Sequence, residues 1–233
     1  MEEYKVGIQK HHDAHVSCLT PKGSLHDFKL SIVRKYLAGK HTLLDLGCGT
    51  GEFTIPLAKE FDKIVAVDFS PKMIAELKRR ISSRKIANVD VYRGDFFDVR
   101  FKPRAFDSVI SFSTLYYVRE LDELMHLVSK QLKQDGIFIF DIGNKTSISA
   151  WYYQHKYKIY QNFVGIADLK AIVRKSGFDI IEEDCFELIP RFLILRGLLD
   201  IKIFNQTIDS LLSNLPLFKH FAFRYVLVCR KVV

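Results

Sequence analysis

Apolar and polar positions change period several times along the chain. Leu25 to Leu37 reads as an amphipathic helix with Ser24 as its N-cap. Short apolar runs follow, each closed by an acid, a glycine or a serine, and predict strands at 42–46, 63–68, 88–93, 106–112 and 136–142. Between them, 51–61, 71–85 and 120–133 read as helices. In the second, Met73, Ile74, Leu77 and Ile81 fall at helical spacing, with Pro71 in the first turn and Ser70 as its cap. Strands alternating with helices predict a parallel sheet with right-handed crossovers. The pattern breaks after Ile142. Residues 143–166 are aromatic and polar, a helix is expected at 167–176 and a strand at 178–187, and 191–215 reads as a mostly helical insertion. Phe221 to Lys231 reads as a last strand, with no crossover helix of ordinary length before it, so it is expected to form a hairpin with its predecessor. Residues 1–22 read as polar and irregular, with a turn near Pro21-Lys22-Gly23.

The candidate chemistry begins at L-L-D-L-G-C-G-T-G, residues 43–51. A strand, a turn through Gly47, Gly49 and Gly51, and a helix start make a nucleotide-binding corner. A pyrophosphate there wants helix N–H groups and no nearby carboxylate, yet Asp45 ends the strand and Glu52 follows the turn. The spacing is G-x-G-x-G rather than the G-x-G-x-x-G of dinucleotide folds, which argues against an NAD enzyme. Two acids suit a cationic ligand with a free amino group. Asp68 ends the second strand, where a carboxylate can accept from both ribose hydroxyls of an adenosine.

Further segments carry a resemblance: V-A-V-D-F-S-P-K-M at 65–73, R-G-D-F-F at 93–97, F-D-S-V-I-S at 106–111 and L-K-Q-D-G-I-F-I-F at 132–140. With the glycine turn, they resemble the class I S-adenosylmethionine (SAM) dependent methyltransferases of the small-molecule type. The likeness is dense over 40–142 and follows element order alone to the C-terminus. It implies a Rossmann-like, doubly wound α/β fold with helices on both faces of a seven-stranded sheet, mostly parallel with an antiparallel last strand. It also implies SAM at the carboxyl ends of the first four strands. On that resemblance Asp45, Gly47, Cys48 and Gly49 surround the methionine part, and the Ser111 carbonyl meets the same ammonium group as Asp45. Phe69 and Met73 sandwich the adenine, Asp95 receives its amino group, and the Phe96 N–H meets a ring nitrogen. Asp107, at the other end of its strand, reads as structural.

The length suits one domain over 1–233: an N-terminal lid and helix at 1–40, a SAM-binding core at 41–142, and substrate-side insertions at 143–166 and 188–219. The longest apolar run, Tyr225 to Cys229, is far too short to span a bilayer, and the N-terminus has no apolar signal region. A cytoplasmic protein is the expectation. The cysteines show no C-x-x-C pairing, and His11, His12 and His15 lack the glutamate of a zinc helix, so no metal is expected. A net charge of +8 permits a nucleic acid or an anionic membrane surface as partner. The Lys and Arg of 71–85 read as a solvated helix face.

Methyl transfer is an in-line displacement in which alignment does most of the work, so a dedicated base is needed only for a nucleophile that holds its proton tightly. The fourth strand leads into S-F-S-T-L-Y-Y-V. It lacks the paired prolines of amino-group DNA methyltransferases, and no proline precedes a cysteine as in cytosine C5 enzymes. Tyr116 and Tyr117 stand where many small-molecule members carry histidine, and with His155 they are the catalytic candidates. His155 lies among Tyr152, Tyr153, Tyr157 and Tyr160, rings that suit a sugar, a flat ring or an RNA base. The favoured reading is methyl transfer from SAM to an O, N or C nucleophile of a small molecule, with sugars and lipid-linked precursors among the candidates. An RNA-modifying enzyme and a non-catalytic partner subunit are the alternatives. Peripheral membrane contact is allowed by the apolar face of 191–215.

Overall fold

The computed structural model describes residues 3–14, 16, 24–157, 159–187 and 221–232. The insertion read at 188–219, His15 and the Pro21 turn lie outside them. In chain order the elements are α1 (Glu3–Ala14), α2 (Ser24–Leu37), β1 (Thr42–Leu46), α3 (Thr54–Leu57), β2 (Lys63–Asp68), α4 (Pro71–Ser83) and β3 (Val89–Arg93). Then come β4 (Phe106–Ser111), a 3₁₀ turn (Leu115–Tyr117), α5 (Leu121–Gln131), β5 (Leu132–Gly143), α6 (Ile148–Lys156), α7 (Ile166–Lys175), β6 (Phe178–Phe186) and β7 (Arg224–Lys231).

The strands form one seven-stranded sheet in the order β3-β2-β1-β4-β5-β7-β6. β7 runs antiparallel to both of its neighbours, and the other strands are parallel. Strand alternation sorts side chains to two faces. Leu43, Ile64, Ile110, Ile139 and Val228 pack under α2, while Leu44, Val65, Val109, Phe138 and Leu227 pack with residues of α5 and α7. The chain moves outward from β1 to β3 and then returns to β4 on the other side. The switch point, and the crevice it opens, therefore lies at the carboxyl ends of β1 and β4.

Three sequence expectations change. The 51–61 helix shrinks to Thr54–Leu57, because Gly51 takes φ +92°, a left-handed conformation that no helix interior holds. The N-terminus is not irregular: α1 is a helix, yet only Ile8 in it is buried. Polar contacts hold it in place of an apolar stripe. Tyr4 OH donates to Glu120 (3.1 Å), Lys5 pairs with Asp95 (2.8 Å), and Ser70 OH donates to Asp13 (2.5 Å). The aromatic segment after β5 also contains a helix, α6, capped by the Ser147 side chain accepting from the Ala150 N–H.

A buried charge cluster ties the halves of the sheet together. Asp141 of β5, fully buried, accepts from Lys29 of α2 (2.7 Å) and from Arg224 of β7 (3.2 Å). It also accepts the N–H of Ser113, which sits at φ +56° after β4. Burial alone would push the Asp141 carboxyl up, but Lys29 and Arg224 hold it below the ordinary carboxylate range. Asp141→Ala would leave Lys29 buried without its carboxylate and Arg224 with Glu187 alone. It should cost about 3–5 kcal/mol in urea unfolding, whereas Lys35→Ala, at the exposed Lys35–Glu182 pair, should leave the midpoint nearly unchanged.

Candidate active site

A cavity of about 450 Å³ fills the crevice. Its floor is the turn after β1. The Gly47 and Cys48 N–H groups both donate to Val67 O (2.8 and 3.1 Å), and the Gly51 N–H donates to Cys48 O (2.9 Å). Gly47 takes φ +74°, and a Cβ there would lie 2.2 Å from Thr114 Oγ1, so only glycine serves. Asp68 and Phe69 come from the end of β2, and Asp95 and Phe96 from the loop after β3. The segment after β4 gives Phe112, Ser113, Thr114, Tyr116 and Tyr117. The roof is one face of α1: Tyr4, Lys5, Ile8, His11 and His12, at the spacing of neighbouring turns.

The acids are arranged unequally. Asp45 is buried and accepts from Thr54 OH (2.6 Å). Burial, aided by the negative charges of Glu52 and Asp68, raises its pKa to about 7 despite that bond. Asp68 accepts the Gly49 N–H with one oxygen and the Ser70 N–H with the other, both at 2.9 Å. Burial still lifts it to about 6. Each oxygen keeps a further lone pair for a ligand. Asp95 accepts the Phe97 N–H (3.1 Å) in an Asx-turn and pairs with Lys5, and it lines the cavity as well.

The remaining sequence candidates divide. Gly47, Cys48, Gly49, Phe69, Met73 and Phe96 join Asp45, Asp68 and Asp95 around the cavity. Ser111 is buried with its hydroxyl donating to Leu46 O (2.8 Å), and Phe112 to Thr114 form the wall in its place. Tyr116 and Tyr117 line the cavity. His155 does not: it is exposed, with its ring against Trp151. Asp107 lies at the other end of β4, bound to Thr42 and Lys133, as its structural reading expects. Sequence reasoning missed the α1 face as individual contacts, along with Phe53, Phe112 and Thr114. Only the spacing of Tyr4, Ile8, His11 and His12 carried any signal for the first of these. Among the described residues, no group of three or more His, Cys, Asp or Glu side chains is placed to hold a metal ion, and no helix is long and apolar enough to cross a membrane.

Such a site has bare main chain at its floor, carboxylates at three strand ends and aromatic walls. It suits a cationic nucleoside and repels a pyrophosphate. Residues 38–164, more than half of the chain, match the family model for a methyltransferase domain, and the chain belongs to that family, the class I SAM-dependent methyltransferases. It is 28% identical over 193 residues to the malonyl-[acyl-carrier protein] O-methyltransferase of Bacillus anthracis, a match covering 76% of this chain and 70% of that protein. Two other curated relatives are matched over less than two fifths of their length. Among solved structures, phosphoethanolamine N-methyltransferase 2 of Haemonchus contortus with bound SAM superposes with a TM-score of 0.74 at 20% identity, covering 100% of this chain and 61% of that one. The [4+2]-cyclase SpnF gives 0.67 at 18%, covering 89% and 81%. The fold is common to all of these, and SAM is the family's cofactor.

The raised acids have a consequence for the ligand-free protein. A carboxylate whose folded pKa lies above its unfolded value, 3.8, holds a proton that the unfolded chain has lost. Its stabilising effect is full below pH 4 and is lost as the pH rises through 6 to 7. Asp45→Asn mimics the protonated form. It should match the wild type near pH 4 and be the more stable of the two at pH 8, each displaced pKa unit being worth about 1.4 kcal/mol. Chemical denaturation across that range checks it, and a gap independent of pH would contradict it.

Proposed function

We propose that the protein transfers the methyl group of SAM to an oxygen, nitrogen or carbon nucleophile of a small molecule, sugars and lipid-linked precursors lying within that class. One observation carries the size of the acceptor. The cofactor cavity is roofed by α1 and adjoins a second pocket of about 190 Å³, and His11, Tyr116 and Tyr117 belong to the walls of both. A pocket of that volume beside a roofed cavity suits a small group better than a folded RNA. The basic face of α4 adds little support for RNA, since Arg79 and Arg80 both pair with Glu76.

The residues fit the cofactor. Buried Asp45 and Asp68 gain from a positively charged ligand, Asp68 has lone pairs left for ribose hydroxyls, and Phe69, Met73 and Phe96 offer an apolar slot for a flat base. Bound SAM supplies an electrophilic methyl group and a neutral thioether as leaving group. The protein's task is alignment across the junction of the two chambers. Burial raises the pKa of the Tyr116 phenol, and of Tyr117 also, so both remain protonated at neutral pH and act as hydrogen-bond donors. His11 lies on both walls, and it is the group we assign to take the proton from an O–H or N–H nucleophile.

The names of the relatives and neighbours span malonyl-[acyl-carrier protein], phosphoethanolamine and a cyclisation, so the fold leaves the acceptor open and leaves room for a chain that uses the cavity without methyl transfer. Calorimetry followed by a tritiated-SAM transfer assay on a small-molecule panel separates these readings. SAM and its demethylated product should bind the wild type. Asp68→Ala should weaken that binding about 10–100-fold, the loss of one charge-assisted hydrogen bond or two. With the acceptor found by the panel, His11→Gln should lower transfer roughly 10²–10⁴-fold with cofactor affinity kept. SAM binding without transfer to any panel member would favour a non-catalytic role. Protection by NAD and not by SAM would overturn the proposal.

A further inference from the structure

We infer that the outward face of α6 is a docking surface for an anionic lipid bilayer. Among the described residues, the three most exposed large apolar side chains are Ile148 and Trp151, each 63% exposed, and Phe221, 54% exposed. They stand in one region. Ile148 and Trp151 are one turn apart on α6. His155 follows a turn later, its Nδ1 2.7 Å from Trp151 O and its ring against the indole (centroids 4.6 Å apart). Phe221 leads into β7 beside this helix. The next residue, Ala222, accepts from the Asn144 side chain (2.9 Å) just before α6, and Phe223 stacks on Tyr153 within it (5.1 Å). Single apolar side chains on a surface are ordinary, whereas several at one place mark a contact site.

The helix has two unlike faces. Ser149 and Ala150 are buried against the body of the protein, and Tyr153 lines the second pocket with Tyr157, which caps the helix end. That inward face is accounted for by packing. The outward face is not: helix propensity asks for neither a β-branched isoleucine nor a tryptophan at positions in water, where alanine, lysine or glutamate would serve better. An apolar pair at such positions gains only when something covers it.

Charge selects the cover. Residues 143–166 hold three lysines and no Asp or Glu, in a chain of net charge +8. Lys145 pairs with Asp168 of α7 (2.9 Å). Lys156, at the end of α6, holds its ammonium over the rings of Tyr152 (5.4 Å) and Tyr157 (5.2 Å). Anionic headgroups attract such a cation, and tryptophan settles at headgroup depth, where its ring meets acyl chains and its N–H meets water. A second copy of this chain would set lysines against lysines. A stable protein interface also takes roughly 800 Å² and 20–30 residues a side, more than one face of a nine-residue helix provides. A bilayer demands no matching shape, only apolar groups and cations side by side. A helix is about 10 Å across, so docking by this face would set the second pocket about that far from the headgroups. On the methyl-transfer reading above, an acceptor anchored by a lipid chain would reach the pocket from there.

Trp151 is the single tryptophan of the chain, so its fluorescence reports on this face alone. The full chain is titrated at low salt with vesicles of equal parts phosphatidylglycerol and phosphatidylcholine, and with vesicles of phosphatidylcholine as the control. The anionic vesicles should shift the emission to the blue and carry the protein down on sedimentation, less so as salt is raised. Phosphatidylcholine alone should do neither. Ile148→Ser, which keeps the reporter, and Trp151→Ser, followed by sedimentation, should each weaken binding about three- to tenfold. Both side chains are exposed, so melting temperature and SAM affinity should stay as in the wild type. No binding to anionic vesicles, binding without a shift at Trp151, or binding that both variants keep in full would overturn the inference. So would a blue-shifted indole in lipid-free protein that light scattering shows to be a dimer, since a second copy would then cover the face. Vesicle binding by a wild type that takes up no SAM would instead remove the methyl-transfer reading and keep the surface.

Discussion

Carboxylates buried at strand ends without a cation of their own are the constraint on which the rest of this structure depends. Parallel strands end together at one edge of the sheet, and the return from β3 to β4 parts that edge into a crevice. Asp45 and Asp68 stand there almost wholly out of water, while Glu52 adds negative charge close by. Hydrogen bonds from Thr54, Gly49 and Ser70 offset part of the desolvation cost but carry no full positive charge. The glycine turn is shaped by the same demand. Its N–H groups bend back to Val67 and Asp68, and the bare Cα of Gly47 lets Thr114 close against it. The cofactor we propose for this cavity, with its ammonium and sulfonium, would complete this arrangement.

The other half of the site obeys the opposite rule, since its charges are already matched. Lys29, Asp141 and Arg224 meet in the interior, and through the Ser113 N–H they fix the backbone after β4 in a left-handed conformation. β7 runs antiparallel to β5, with Arg224 opposite Gly143, so its first residues lie at the edge where the parallel strands end. Arg224 therefore reaches the rings of Tyr116 and Phe223 from a distant part of the sequence. Buried acids without a cation thus stand beside a cluster whose charges are already matched.

Much of this was legible in the chain. The alternation of short apolar runs with helical spacing located the parallel strands, and the acids near the ends of β1 and β2 pointed to the cavity that they line, because strand ends in such a fold must converge. The expected pairing of the last strand also holds, as β7 runs antiparallel to β6 and lies between β6 and β5. Other features left no local trace. Helix α1 has almost no buried stripe, and its place is set by Tyr4, Lys5 and Asp13, whose partners are far away in sequence. His155 drew notice through the rings around it, yet α6 turns Tyr153 inward and His155 outward, a choice set by the packing of Tyr153 on Phe223. Arg224 had no signal at all, since its role depends on a register that only the folded sheet defines.

The central claim is that Asp45 and Asp68, buried in the cavity wall, are waiting for positive charge. The most direct measurement is calorimetry of SAM binding near pH 6.5 in buffers of different ionisation enthalpy. Asp45, with a pKa of about 7, and Asp68, near 6, together hold about one proton at that pH in the ligand-free protein. A cationic ligand should draw both toward the ionised state. The account predicts release of close to one proton per SAM bound, largely lost in Asp45→Asn. Binding with no proton exchange, or with net proton uptake, would contradict it.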